Sequence, residues 1–349
     1  MKTLRFILVI AVTACMTALT GCSEDMPWQL EEEGSGRKPI TFTSAHIEAV
    51  TRGQVVTEAP TEYKVSCTTY ASPGGYATAR QGAHFYNLTV GSDGSTSYVW
   101  PDVGTYIACY AYYPTGNPAL ALTSSADDTG FPVYTFTVPD DVRQHVDFMT
   151  ADVTDLTETA DGTIELAFQH RLSAFRFTFR NVTTDTEMKL VSIAMKNMKY
   201  TGTFRGTTWT PSAATKSFSL LLNGDTGTDM PYMEHYDVTG TDDIFIMMPQ
   251  TIAAGTEMLD VVVEIAGVRK HFAYSPDAAF AIEAGHTYAM SINVAERISV
   301  ENPMAITEWV MDVQHVDYAT SSVTLWGIEP QPMDGGQSGG INAWTEDKS

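Results

Sequence analysis

Apolar side chains recur at every second position through most of this chain, and that period leaves little choice of fold. Ile164, Leu166 and Phe168 show it, and Phe175, Phe177 and Phe179 follow. Val261, Val263 and Ile265 repeat it, as do Tyr288, Met290, Ile292 and Val294. Thr105 to Tyr113 (TYIACYAYY) and Val133 to Val138 (VYTFTV) add runs rich in aromatic and β-branched residues. Successive side chains of a strand point to opposite faces, so this alternation marks strands with one buried face. Pro73-Gly74-Gly75, Ser92-Asp93-Gly94, Asn223-Gly224 and Ala284-Gly285 punctuate the runs with turn chemistry. No window sustains a helical apolar stripe for three turns. The pattern predicts an all-β protein built of antiparallel sandwiches.

At 349 residues the chain has room for two domains. The chain turns polar between about Thr150 and Asp161, which divides it into an N-terminal sandwich over 39–155 and a C-terminal one over 156–316. Residues 22–38 read as an acidic, Gly/Ser-bearing tether, with Glu31-Glu32-Glu33 and Gly34-Ser35-Gly36. Residues 317–349 read as a candidate strand followed by a flexible tail (DGGQSGG at Asp334 to Gly340). No repeat emerges at the spacings of solenoids or propellers.

Residues 1–21 read as a secretory signal. Lys2 and Arg5 form a basic start and Phe6 to Ala14 an apolar stretch too short to span a bilayer. It ends in Leu19-Thr20-Gly21-Cys22, the pattern of a bacterial lipobox, which makes Cys22 the lipidation site. Two or three acyl chains hold firmly, since each buried CH2 adds ~0.8 kcal/mol. Ser23-Glu24-Asp25 is similar to the acidic export tag of Bacteroidetes surface lipoproteins. The expected location is therefore the outer membrane, facing outward. Two cysteines remain for the folded body, Cys67 and Cys109. In an oxidising compartment they are candidates for a disulfide, with two buried free thiols as the alternative.

Charge excludes one class of partner. Aspartate and glutamate number 42 against 20 lysines and arginines, a formal charge of −22. A nucleic-acid partner would need a basic stripe, and none is present. The search for catalytic chemistry returns nothing specific. No HExxH, GxSxG, P-loop or strand-to-helix GxGxxG occurs. His170, His271 and His286 lie in or beside strands, where a histidine is an ordinary half-buried polar residue. An EF-hand loop starting at Asp155 would need glycine where Ala160 stands. No metal site and no cofactor are expected.

A succession of short motifs carries a family resemblance. Ile40-Thr41-Phe42-Thr43-Ser44 follows the tether, with Thr51-Arg52-Gly53 a few residues on. Val146-Asp147-Phe148-Met149 and Ile164 to Phe179 come midway, then Ile282 to Val294 and Ile306-Thr307-Glu308-Trp309. This order resembles the fimbrillin-like proteins of Bacteroidetes, the subunits of type V pili, from about Lys38 to Met311. The resemblance implies two transthyretin-like β-sandwich domains, no enzymatic activity and assembly with other fimbrial subunits by strand exchange. It implies that an arginine-directed protease removes the lipid and the first strand. The leaving segment would be Ile40 to Val50 and the scissile position Arg52, with Arg37 second; a cut at Arg37 would leave the strand in place. Val323 and Leu325, alternating with Thr324 and Trp326, are the candidate donor residues, or else part of the last strand of their own domain. Shaft, tip and anchor roles stay open. The alternative function is a surface lipoprotein whose sandwiches bind glycans or proteins of host or bacterial surfaces, and an exposed row of coplanar aromatics would mark it.

Overall fold

The computed structural model describes residues 36–44, 60–78, 80–124, 130–184, 186–238, 243–295, 298–300, 305–308 and 344–346. Cys22, Arg52, Val323 and Leu325 lie outside them. Among the described residues there is no α-helix, and the regular structure is strand apart from two single 3-10 turns. The first half contributes β1 (Pro39–Ser44), β2 (Tyr63–Tyr70), β3 (Arg80–Val90), β4 (Ser95–Val99), β5 (Tyr106–Tyr113), β6 (Leu120–Ser124), β7 (Val133–Thr137) and β8 (Met149–Leu156). Next come β9 (Thr163–Leu166), β10 (Gln169–His170), β11 (Ser173–Asn181), β12 (Met188–Lys199), β13 (Thr201–Arg205), β14 (Thr208–Pro211) and β15 (Thr215–Leu221). Then follow β16 (Thr228–Asp229), β17 (His235–Asp237), β18 (Phe245–Met247), β19 (Gln250–Ile252), β20 (Leu259–Ile265) and β21 (Val268–Tyr274). The last are β22 (Phe280–Ile282), β23 (His286–Val294), β24 (Ile298–Val300), β25 (Ala305–Glu308) and β26 (Trp344–Glu346).

The alternating runs form the strands expected of them, and their inward sides build two cores. In the first core, a three-stranded sheet (β4-β1-β9) and a five-stranded one (β10-β8-β5-β2-β3) contribute Ile40, Phe42, Val65, Phe85, Ile107, Met149, Ile164 and Leu166, with Trp100 among them. In the second, sheets centred on β11-β23 and β12-β20 meet over Phe175, Phe177, Phe179, Met290, Ile292, Leu190, Ile193, Val261 and Val263. Among the described strands, β1 pairs in parallel with β9 and β11 with β23. Parallel neighbours need a long crossover, and here the intervening chain forms other strands.

The two cores interleave in sequence. Tyr134 and Phe136 on β7 belong to the second core, where β7 pairs with β13. Ile164, Leu166 and Phe168, farther along the chain, belong to the first. The polar run near residue 155 holds the end of β8 and the turn before β9. The tail contributes β26, whose backbone adds antiparallel to the edge strand β21, Tyr274 opposite Trp344.

Cys67 and Cys109 face each other across the β2–β5 ladder and are joined by a disulfide, their Cα atoms 4.1 Å apart. The bond lies wholly inside the first core, both residues being 0% exposed. The loop it closes spans 42 residues. Replacing both cysteines by alanine will lower stability by about 2–4 kcal/mol, read as a lower urea midpoint with a steeper slope as the unfolded chain loses its crosslink.

His145 marks a weak point in acid. Its ring packs edge-on against Phe218 and Phe245. Nδ1 accepts from the Ile246 N–H at 3.0 Å, so Nε2 carries the proton toward the Pro139 carbonyl, also 3.0 Å away. Burial pulls the pKa from 6.5 down to about 4. The unfolded chain therefore binds a proton that the folded chain refuses, and stability falls as pH drops from 6.5 toward 4. The full effect is about 3 kcal/mol, at ~1.4 kcal/mol per pH unit. His145→Gln will flatten the urea midpoint between pH 6.5 and 5 relative to wild type.

Candidate functional site

The strand that the sequence marks for removal, β1, is the middle strand of its sheet. β4 and β9 flank it and are joined only through it. Its inward side chains, Ile40 and Phe42, are 0% and 2% exposed, and Phe42 meets Phe85 edge-on at 6.2 Å. Each such side chain contributes about 1.5–3 kcal/mol of apolar burial. Outward-facing Pro39 and Thr43 are solvent-exposed. Pro39 stands at the strand's first position, where a missing N–H is tolerated.

The backbone of β1 is received by two turns of the same composition, Asp93-Gly94-Ser95 and Asp161-Gly162-Thr163. The Phe42 N–H donates to the Gly94 carbonyl at 2.8 Å, and the Thr41 N–H to the Gly162 carbonyl at 3.2 Å. Both glycines have positive φ, +67° and +81°. A Cβ on Gly94 would lie 1.8 Å from the Phe42 carbonyl oxygen, and one on Gly162 would lie 2.5 Å from that of Pro39. Glycine is required here both by conformation and by space. The preceding aspartates cap the turns: Asp93 accepts from the Ser95 hydroxyl at 2.8 Å and Asp161 from the Thr163 N–H at 3.0 Å. Those bonds hold both carboxyls below the usual carboxylate range.

Other contacts seal the slot. The Thr96 hydroxyl donates to the Ile40 carbonyl at 2.7 Å, and the Trp100 N–H to that of Lys38 at 3.0 Å. The indole of Trp100, fully buried, donates to the Gly162 carbonyl at 3.0 Å and so ties the floor to the β9 side. Lys38 donates to the Ala160 and Thr159 carbonyls at 2.8 and 3.2 Å and sits 3.5 Å from Glu158. On the β4 side, His84 Nε2 meets the Val99 carbonyl at 2.8 Å, and burial lowers its pKa. Gly94, Gly162, Trp100 and Thr96 are groove residues that the sequence reading missed. The signal lies in the repeated Asp-Gly-Ser/Thr at Asp93 and Asp161; only Ser92-Asp93-Gly94 reads as a turn, while Asp161 falls at the end of the polar stretch that divides the two expected domains.

The residues singled out from sequence are spread across the molecule. The cystines sit in the first core below the slot, and Arg37 is exposed immediately before Lys38. His170 meets Asp147 at 2.6 Å, His271 meets Asp260 at 3.7 Å and His286 meets Glu283 at 3.8 Å, each on a different strand. Among the described residues, no three His, Cys, Asp or Glu side chains gather in a metal-holding group. The exposed aromatic side chains there are Tyr86 and Tyr232, on different elements, and they form no row.

A model of a family described as fimbrillin-like matches residues 49–309. Among solved structures, a candidate cell adhesion protein from Bacteroides uniformis is similar at 18% identity and a TM-score of 0.49, covering 79% of this chain and 99% of that one. One from Bacteroides ovatus is similar at 15% identity and a TM-score of 0.46, covering 78% and 98%. The tip fimbrial protein Mfa3 from Porphyromonas gingivalis, truncated at its C-terminus, is similar at 12% identity and a TM-score of 0.38, covering 74% and 97%. No curated protein matches the chain.

Gly94→Ala tests the slot directly. The added methyl group collides with backbone rather than with a movable side chain, so β1 must shift. A loss of at least about 2 kcal/mol is expected. Amide exchange should quicken in Ile40 to Thr43; unchanged exchange in β1 would refute the role given to Gly94.

Proposed function

The chain belongs to the fimbrillin-like family, and from that premise we propose that it is a non-enzymatic subunit of a cell-surface fimbria, assembled by strand exchange and serving adhesion. The observation that carries this reading is the setting of β1, a short central strand whose two neighbours meet only through it. Two β-sandwich domains, one around each core, complete the proposed subunit.

The proposed precursor reaches the outer membrane with a lipid on Cys22. A cut after Arg52 severs β1 from the rest of the chain, so that only non-covalent contacts retain it. A cut after Arg37 leaves β1 attached through its C-terminal side, which is why Arg52 is the functional position. With β1 gone, the Gly94 carbonyl loses its donor, the Gly162 carbonyl keeps only the Trp100 indole, and the pockets of Ile40 and Phe42 face water. Unpaired strand edges beside an apolar groove are poised to take up another strand. An incoming strand meets the backbone demand with its own N–H groups and fills the pockets with alternate side chains. Val323-Thr324-Leu325 repeats the apolar-Thr-apolar order of Ile40-Thr41-Phe42, which supports Val323 and Leu325 as donor residues. A donor from one subunit entering the groove of the next makes a head-to-tail contact that does not close, hence a filament.

The test is a trace of arginine-directed protease on unlipidated protein, followed by a denaturing gel without boiling. A heat-labile ladder with a new N-terminus at Gly53 is expected, absent in Arg52→Ala and present in Arg37→Ala. A single trimmed monomer at every protein concentration would refute self-assembly by strand exchange.

A further inference from the structure

The chain passes from the second core to the first at Phe148-Met149, and back again between Phe168 and Leu172. These passages lie side by side, because β10 pairs with the start of β8, His170 opposite Met149. Polar groups crowd this crossing although it is buried. Asp147 Oδ2 lies 2.6 Å from His170 Nδ1, with the two side chains 0% and 2% exposed. The adjacent Arg171 is 7% exposed. Its Nε donates to the Thr150 hydroxyl at 2.7 Å and its Nη1 to Gln169 Oε1 at 2.9 Å, while Nη2 is 3.8 Å from Asp152. The same guanidinium stands over the Phe204 ring at 5.3 Å, and the Arg171 carbonyl accepts from the Trp209 indole at 2.6 Å.

The distribution of these partners matters more than their number. Thr150 and Asp152 are on β8, in the five-stranded sheet of the first core. Phe204 and Trp209 are on β13 and β14 and pack in the second. One buried cation therefore grips both sides. Asp147 and His170 tie the outgoing passage to the returning one. Local packing alone would not demand such groups, since burying charge is costly unless it is paired in good geometry. The two adjacent polar clusters, Asp147 with His170 and Arg171 with Thr150, Gln169 and Asp152, each fix the arrangement of what they touch.

We propose that Asp147, His170 and Arg171 form a polar joint that fuses the two cores into one cooperative unit, so that opening in one is transmitted to the other. The joint also places a mechanical route in the chain: β9, beside β1, continues through the joint directly into β11, a central strand of the second core. This coupling is independent of whether the protein polymerises.

Native-state hydrogen exchange of the full chain in low urea reads it, with peptides from β2 and β5 reporting the first core and from β20 and β23 the second. In wild type, the slowest amides of both cores should exchange at the same rate. Val65→Ala, a truncation confined to the first core, should speed both cores equally, by 10-fold or more. In Arg171→Met, which keeps the apolar stem and removes the donors, the two cores should part by at least 10-fold, and Val65→Ala added there should act on the first core alone. Asp147→Asn should separate them in the same direction. If Val65→Ala in the wild-type background quickens only the first core, or if the cores of Arg171→Met still exchange together, the joint does not couple them. The Val65→Ala comparison stands without Arg171→Met, should that variant fail to fold.

Discussion

A backbone N–H or C=O that leaves water must find a partner inside the protein, and this chain meets that demand at its weakest point with a six-residue strand. β4 and β9 do not pair with each other, so the small sheet exists only while something lies between them. The same strand supplies two of the large side chains of the first core. Backbone pairing and apolar filling thus fail or succeed together, and the rest of the first half is arranged to receive them. Glycines stand where the strand presses closest, aspartates hold those glycines in their turns, and a tryptophan closes the floor.

The second half meets the same demand in a more redundant way. Among the described residues, its long central strands β11, β12, β20 and β23 each have partners on both sides. Under the proposed function, that contrast assigns the exchangeable strand to the first core. It also gives the buried polar crossing its interest, because a replaceable strand is useful only if the remainder of the body keeps its shape.

Much of this could be read in the residues, and what could not has a physical reason. The runs around Phe175, Val261 and Tyr288 alternate because one face is buried, and they are β11, β20 and β23. Gly94 and Gly285 sit in turns because their φ is positive. Periodicity, however, speaks of faces and not of neighbours. It could not say that β1 lies parallel to β9, or that β7 belongs with β13. Cysteine count left bridge and free thiols open, since only the register of β2 on β5 brings the two Cα atoms together. Trp100, just past the end of β4, has no alternating neighbours to announce it. The strand at Trp344 goes unannounced for a similar reason: three residues are too few to show a period, and the strand is defined by the open edge of β21.

The interleaving of the two cores has a consequence for how the chain acquires its structure. Thr41 is among the first of the described residues to be made, yet its parallel partner Thr163 arrives much later, after β2 through β8. Closing so long a loop is entropically expensive, and topologies dominated by distant pairings fold slowly. During that interval Ile40 and Phe42 have no home, and the groove meant for them is only half built. A newly made chain therefore passes through a state in which a β-prone segment and its receptor are both unsatisfied. That is the moment when one copy can capture the segment of another before its own is seated, so kinetic protection of the nascent chain, rather than stability of the finished fold, decides whether the strand ends in its own slot.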